Sequence, residues 1–131
     1  MPGTILVVED DRSTLSGYVE YLTNAGYSPA GFCDPARALA AALADPPAAV
    51  VTDITMPGMD GFTLAAALHQ DPRTGHVPVI GLTANWDADI RARGTAASMR
   101  TLLLKPCSPP HLLAELERIL GKGLGKEEES S

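Results

Sequence analysis

The sequence predicts an α/β fold in which a parallel sheet of five strands is covered by helices on both faces. Short runs of Val, Ile and Leu recur along the chain and alternate with segments of helical periodicity. These runs are continuously apolar, which is typical of strands buried on both faces. Each strand and its following helix occupy about 20–30 residues, a length that fits right-handed βαβ crossovers.

The predicted elements form five strand–helix units. The predicted strands are Thr4–Val8, Tyr27–Cys33, Ala48–Thr52, Val77–Thr83 and Thr101–Leu104. The predicted helices begin near Asp11 or Ser13, Asp34, Gly61, Asn85 and Ser108. Pro29 cannot donate to a strand ladder, so the second strand is expected at an edge of the sheet. The segment Asn85–Met99 has few large apolar residues and is expected to be a short helix held loosely to the sheet.

Composition limits the possible functions. The chain has 131 residues, 45% of them hydrophobic and 20% charged, which is typical of one globular domain. Its net charge of −6, without a basic block, argues against nucleic acid or an anionic membrane as the direct partner. No apolar run approaches the roughly 20 residues that span a bilayer, and the first residues do not resemble a signal peptide. Cys33 and Cys107 are expected to be reduced, in a cytoplasmic protein.

Residues suited to phosphate or Mg²⁺ stand at the ends of four predicted strands. They are Glu9 and Asp10 after the first, Asp53 after the third, Thr83 in the fourth and Lys105 after the fifth. Ligands of open α/β sheets bind outside the carboxyl ends of the strands, so these side chains are expected to converge. Carboxylates suit Mg²⁺, Lys105 supplies positive charge, and Thr83 can donate a hydrogen bond to a phosphoryl oxygen. The pattern predicts a site in which Asp53 attacks a phosphoryl group.

Four motifs carry a resemblance to a known family: Ile5–Asp11 (ILVVEDD), Val50–Phe62 (VVTDITMPGMDGF), Pro78–Ala84 (PVIGLTA) and Leu103–Pro106 (LLKP). In this order and spacing they resemble the response-regulator receiver domain of two-component signalling. The resemblance extends from about Thr4 to Leu120. It implies a flavodoxin-like, doubly wound sheet of order 2-1-3-4-5 with five helices.

The resemblance also implies roles for the site residues. Asp53 would accept a phosphoryl group from a histidine kinase or a histidine phosphotransfer protein. Mg²⁺ would be bound by Asp10, Asp53 and the backbone carbonyl of Thr55, with Glu9 acting through water. Lys105 would pair with the phosphoryl group.

The resemblance also implies how the domain would signal. Thr83 would move toward the phosphoryl group and couple it to the face formed by the fourth helix, the fifth strand and the fifth helix, where a downstream protein partner would bind. Pro106 is expected after a cis peptide bond. Apart from its own phosphorylation and dephosphorylation at Asp53, such a domain is not an enzyme.

Three positions depart from the family pattern. Leu102 stands where receivers usually carry Tyr or Phe, so the usual movement of a ring is not available. Cys107 stands where Phe is usual and is interpreted as a buried filler. The segment Asn85–Arg100 matches poorly. Trp86, within it, could contact a partner or pack near the site.

Domain organisation and two other functions complete the predictions. Residues 1–121 are expected to form the receiver domain and residues 122–131 a disordered acidic tail, with no output domain after them. The chain would act as a stand-alone receiver or as part of a hybrid kinase. A pseudo-receiver that binds partners without phosphorylation is one alternative. A phosphohydrolase of the haloacid-dehalogenase type is disfavoured, because it needs a second Asp where this chain has Thr55.

Overall fold

The computed structural model describes residues 3–121 as five parallel strands and five helices in strict alternation. In chain order they are β1 (Thr4–Val8), α1 (Arg12–Asn24), β2 (Ser28–Phe32), α2 (Pro35–Ala44), β3 (Ala49–Asp53), α3 (Gly61–Gln70), β4 (Val79–Thr83), α4 (Ala88–Ala96), β5 (Thr101–Leu104) and α5 (Pro109–Leu120). The strand order is β2-β1-β3-β4-β5, and all four pairings are parallel. The predicted fold class and strand order are confirmed, including the edge position of β2.

Three strands differ slightly from their predicted bounds: β2 lacks Tyr27 and Cys33, which were predicted as its ends, and β3 and β4 differ for local reasons. β4 begins at Val79 because the backbone N–H of Val77 donates to Thr74 in a turn, and Pro78 has no N–H to donate. Asp53 is the last residue of β3 and is paired with Leu82 of β4. Asp53, the candidate phosphoacceptor, is therefore held within the hydrogen-bonded ladder of the sheet.

Each helix begins at a side-chain cap. The capping residues, which accept a hydrogen bond from a backbone N–H of the first turn, are Asp11, Asp34, Asp60, Asp87 and Ser108. Of the two caps predicted for α1, the structure selects Asp11. Each such cap stabilises its helix by about 1 kcal/mol. The capping residues therefore help to fix the residue at which each helix begins.

The sheet separates two apolar cores. One face packs against α2 and α3, with Val8, Val50 and Leu64 among its buried residues. The other face packs against α1 and α5, with Val51 and Leu112 fully buried. Alternate residues of the same strand enter opposite cores, which explains the continuously apolar runs of the sequence.

Helix α4 has the fewest buried residues of the five helices. It is shorter than the predicted segment, and Gly94 is its only residue that is fully buried among those described. It ends before Ser98, whose φ of 64° is left-handed. This bears out the expectation of a short helix held loosely to the sheet. No helix within residues 3–121 is long and apolar enough to cross a membrane. The tail predicted for residues 122–131 lies outside the described residues.

Candidate active site at the carboxyl edge of the sheet

Asp53 is buried at the end of β3 with both carboxylate oxygens engaged. Its Oδ2 accepts a hydrogen bond from Nζ of Lys105 at 3.0 Å, and its Oδ1 accepts one from the backbone N–H of Thr55 at 3.3 Å. The side chain is 7% exposed. It is thus a carboxylate whose orientation is fixed by a hydrogen bond to each of its oxygens.

Gly61, the first residue of α3, fits directly against this strand end. A Cβ at this position would lie 2.6 Å from the carbonyl oxygen of Asp53 and 2.9 Å from Cα of Ile54. The backbone N–H of Gly61 donates to the carbonyl of Ile54. Gly61 therefore allows α3 to close tightly against the loop that follows Asp53. In the same loop Gly58 has a φ of +85° and supplies the turn.

Glu9 and Asp10 complete an acidic cluster with Asp53. One carboxylate oxygen of each lies within 4.8 Å of those of the other two. Oε2 of Glu9 accepts the backbone N–H of Asp11, whereas Oε1 is buried without a hydrogen-bond partner and lies 3.7 Å from Nζ of Lys105. Burial, reinforced by the charge of Asp53, raises the pKa of Glu9. The cluster is strained electrostatically unless a further cation joins it.

The residues present fit a divalent cation. Three carboxylates and the single ammonium of Lys105 leave two negative charges in excess. Hard oxygen ligands are those that Mg²⁺ prefers, and it accepts an incomplete protein cage because water and phosphate supply its other ligands. The unpartnered Oε1 of Glu9 is an acceptor directed into this cluster. The predicted role of the Thr55 carbonyl stays a prediction.

Lys105 is fixed by its backbone as well as by its charge. Its N–H donates to the carbonyl of Thr83 at 2.7 Å, and the Lys105–Pro106 peptide is cis, as expected. Burial disfavours the charged ammonium, but the hydrogen bond to Asp53 and the nearby carboxylates outweigh it, so the pKa of Lys105 is raised. The group is therefore a permanent cation at the edge of the acidic cluster.

Thr83 ends the strand next to Asp53, but its hydroxyl is engaged elsewhere. The hydroxyl donates to the carbonyl of Asn85 at 2.9 Å and accepts the N–H of the same residue at 3.0 Å. The structure thus brings Glu9, Asp10, Asp53 and Lys105 into one cluster. It places Thr83 beside them in a conformation in which its hydroxyl must leave Asn85 before it can bind a phosphoryl oxygen.

Comparison with known proteins decides the family. The model of the response regulator receiver domain matches residues 5–117. This chain belongs to the response-regulator receiver family. The resemblance noted in the sequence is thereby confirmed.

Relatives of this receiver domain occur in proteins of different kinds. It is 34% identical over 119 residues to the response regulator PleD of Caulobacter vibrioides, covering 91% of this chain and 26% of PleD. It is 37% identical over 112 residues to the transcriptional regulatory protein HprR of Escherichia coli, covering 86% of this chain and 49% of HprR. The chain therefore spans about half or less of the length of these two relatives.

A solved structure of similar size shares the whole fold. The chemotaxis protein CheY4 of Vibrio cholerae superposes with a TM-score of 0.87 at 28% identity, covering 92% of this receiver and all of CheY4. The five-stranded sheet and its five helices are thus common to a chain of nearly the same length.

Leu102 occupies a socket formed by two glycines. A Cβ at Gly81 of β4 would lie 2.7 Å from one methyl group of Leu102, and a Cβ at Gly94 of α4 would lie 2.9 Å from the other. Met99 packs beside Gly81. The position at which receivers usually carry an aromatic ring is therefore filled by a half-buried aliphatic side chain that α4 and β4 enclose.

Tyr18 has a role that sequence reasoning missed. Its hydroxyl donates to the carbonyl of Cys107 at 2.6 Å, and burial, with the charges of Cys107, Glu9 and Asp53 contributing less, raises its pKa to about 12. It thereby holds the segment that follows Lys105. The sequence showed Tyr18 only as part of the apolar stripe of α1, so nothing in the pattern indicated this contact. Cys107 itself is buried, as interpreted from the sequence.

Proposed function

We propose that this receiver domain is a Mg²⁺-dependent phosphoacceptor of a two-component phosphorelay. Asp53 would take a phosphoryl group from the phosphohistidine of a histidine kinase or a histidine phosphotransfer protein. The domain would then change conformation to control a protein partner. The observation that carries the proposal is the contact of the Asp53 carboxylate with Lys105 inside the acidic cluster formed with Glu9 and Asp10.

The cluster supplies the ligands for the ion. Asp10, Asp53 and the carbonyl of Thr55 would hold Mg²⁺ directly, and Glu9 would act through water. When bound, Mg²⁺ neutralises charge that develops on the phosphoryl oxygens. The excess of two negative charges in the cluster supports a divalent rather than a monovalent ion.

The transfer itself uses the residues of this chain. A carboxylate oxygen of Asp53 forms a bond to phosphorus as the P–N bond of phosphohistidine breaks; the electron pair of that bond stays on nitrogen, and a proton already carried by the other ring nitrogen lets the imidazole leave as the neutral ring. Nζ of Lys105, already at 3.0 Å from Oδ2, is placed to pair with the phosphoryl oxygens. The added charge of about −1.5 to −2 then favours a conformation in which the hydroxyl of Thr83 leaves Asn85 and binds the phosphoryl group.

Two surfaces support roles for partners. A groove of about 530 Å³ runs beside Lys105, with Ser13, Gly17 and Pro106 in its walls, and would receive the phosphodonor. On the face formed by α4, β5 and α5, Leu104 is 48% exposed, and Trp86 is equally exposed just before α4. Apolar side chains exposed next to the site suit a downstream protein partner. In a longer protein such as the transcriptional regulator HprR the output can reach DNA, so the acidic charge of this domain does not decide the final target. We place the reaction in the cytoplasm.

A second candidate is a pseudo-receiver that binds partners without being phosphorylated. The observation that favours it is Leu102, which packs against Gly81 and Gly94 at the position where receivers usually carry the ring that responds to phosphorylation. The complete acidic cluster favours the phosphoacceptor.

Labelling with acetyl phosphate tests the proposal. Wild-type protein incubated with acetyl phosphate and Mg²⁺ should gain one phosphoryl group by intact-mass analysis, and Asp53→Asn should gain none. Chelation of Mg²⁺ should abolish labelling. Absence of any adduct on the wild type would support the pseudo-receiver, and sustained turnover of a generic phosphate ester would support a phosphohydrolase.

A further inference from the structure

Arg93 connects α4 to the loop that follows Asp53. Its Nη2 lies 3.5 Å from Oδ2 of Asp60, and its guanidinium carbon lies 4.4 Å from the centroid of the Phe62 ring. Asp60 is the last residue of the loop that follows Asp53, and Phe62 is the second residue of α3. One side chain of α4 thus contacts both the end of the loop that follows Asp53 and the first turn of α3.

The two carboxylate oxygens of Asp60 have different partners. Oδ1 caps α3 by accepting the N–H of Thr63 at 2.8 Å, and Oδ2 faces Arg93. The cap fixes the orientation of the carboxylate, so Arg93 meets a partner that is already ordered by α3. Stacking on Phe62 aligns the guanidinium plane as well.

These contacts matter because α4 buries little apolar surface: Ile90 is only partly buried against the core, and Gly94 packs against Leu102. Gly94 is the only buried residue of the helix within the described range, and the helix has no strongly apolar face. Exposed ion pairs and cation–π contacts are individually weak. For an element with so little buried apolar surface, however, interactions of this size are large enough to decide between two positions.

Helix α4 is joined to the site at a second point. The segment from Ala84 to Asp87 connects Thr83 to the first turn of α4, and within it the backbone of Asn85 makes two hydrogen bonds with the hydroxyl of Thr83. The contact of Arg93 with Asp60 occurs in this same arrangement. Any movement of Thr83 toward a phosphoryl group must displace Asn85, and α4 is attached to that segment.

We propose that Arg93 is a positioning residue that holds α4 in the resting arrangement of Thr83 and so opposes binding of a phosphoryl group at Asp53. This inference rests on the proposed function. Since coupling between two sites is reciprocal, loss of the Arg93 contact should tighten binding at Asp53. The route differs from the usual ring movement, for which this chain has no aromatic residue at position 102.

Trifluoroberyllate, a noncovalent mimic of the phosphoryl group, provides the test. It is titrated with saturating Mg²⁺ while the fluorescence of Trp86, the only tryptophan, reports on the segment next to α4. We expect Arg93→Ala to lower the half-saturating concentration by about fivefold. Arg91→Ala is the matched control. Arg91 lies in the same helix but, unlike Arg93, forms no ion pair within residues 3–121, so this variant should titrate as the wild type does.

Asp60→Asn tests the same contact from the other side. Asn caps helices as well as Asp does, so α3 is kept while the charge facing Arg93 is lost. This variant should also tighten binding, and combining it with Arg93→Ala should add little, as expected for two halves of one contact. Arg93→Lys, which keeps the charge but loses the planar stacking, should fall between wild type and Arg93→Ala.

The outcomes separate the inference from the function on which it rests. A wild type without an Asp53-dependent response would contradict the proposed function. A normal wild-type response, with Arg93→Ala unchanged or weaker in binding, would overturn the role of Arg93 alone. Additive effects of Arg93→Ala and Asp60→Asn would also overturn it.

Discussion

The acidic cluster around Asp53 and the region of α4 and β5 are built in different ways. The acidic cluster lies where β1 and β3 end, two of its three carboxylates (Glu9 and Asp53) are buried, and the start of α3 touches the backbone of Asp53. The region of α4 and β5 is open, with Leu102 between two glycines and α4 attached through Arg93. Phosphoryl chemistry needs groups fixed within a few tenths of an ångström. A conformational response needs an element that can occupy two positions at small cost. If the proposed function holds, the contrast predicts that capture of the phosphoryl group and the conformational response depend on different parts of the chain.

The first way to break the contrast is to disturb the fixed region at Gly61. In Gly61→Ala the new Cβ would meet the backbone of Asp53 and Ile54, which cannot yield as a flexible side chain would. We expect a loss of about 1–3 kcal/mol in the free energy of unfolding, measured with urea, together with weaker trifluoroberyllate binding. Gly17→Ala is the control, because a Cβ there meets nothing within 4 Å in a helix, and it should stabilise by up to about 1 kcal/mol. Equal effects of the two substitutions would contradict the close fit of α3.

The second prediction separates stability from function within the acidic cluster. Glu9→Gln removes a buried carboxylate whose pKa is raised, so the metal-free protein should gain about 1 kcal/mol in stability near neutral pH while its Mg²⁺ affinity falls. The sign of the pH dependence follows from linkage. Between the ordinary pKa and the raised pKa the folded state binds more protons than the unfolded state, so stability falls as pH rises through this window.

Urea unfolding without metal, at several pH values, checks this. The fall in stability should be smaller in Glu9→Gln, and Mg²⁺ should reduce it in the wild type. A metal-free Glu9→Gln protein that is less stable than wild type at neutral pH would show that the carboxylate is stabilising, contrary to the account.

The third prediction concerns the open region and has the smallest expected effect. Gly94→Ala gains about 1 kcal/mol of helix propensity, but its Cβ would lie 2.9 Å from a methyl group of Leu102. We expect the two terms nearly to cancel in the wild type. In a Leu102→Ala background the clash is absent, and Gly94→Ala should stabilise by about 1 kcal/mol. A double-mutant cycle by urea unfolding measures the difference, and strict additivity would argue against the socket.

The same contrast explains what the sequence could predict. Glu9, Asp53 and Lys105 were found because parallel strands deliver their ends to one edge, and strand ends are visible in the hydrophobic pattern. The fold followed from the same runs. The hydroxyl of Thr83 was expected to serve the phosphoryl group, but its bond to Asn85 depends on a turn that no pattern specifies.

The contacts around α4 were beyond sequence reasoning for a related reason. Arg93 lies in a helix without an apolar stripe, so nothing marked its inner side. Its contact with Asp60 joins residues far apart in the chain whose charges are common on any surface. Likewise Gly81 and Gly94 are unremarkable until β5 places Leu102 between them. Packing of this kind is decided by tertiary geometry rather than by periodicity.

The most direct test of the central claim is chemical identification of the phosphorylated residue. Borohydride reduces an acyl phosphate to an alcohol and so converts phosphorylated Asp into homoserine. After reaction with acetyl phosphate and Mg²⁺, peptide mapping of the reduced protein should find homoserine at position 53 and at no other acidic residue. Homoserine at Asp10 or another aspartate, the corresponding five-carbon amino alcohol (2-amino-5-hydroxypentanoic acid) at Glu9, or no reduced residue at all, would contradict the account.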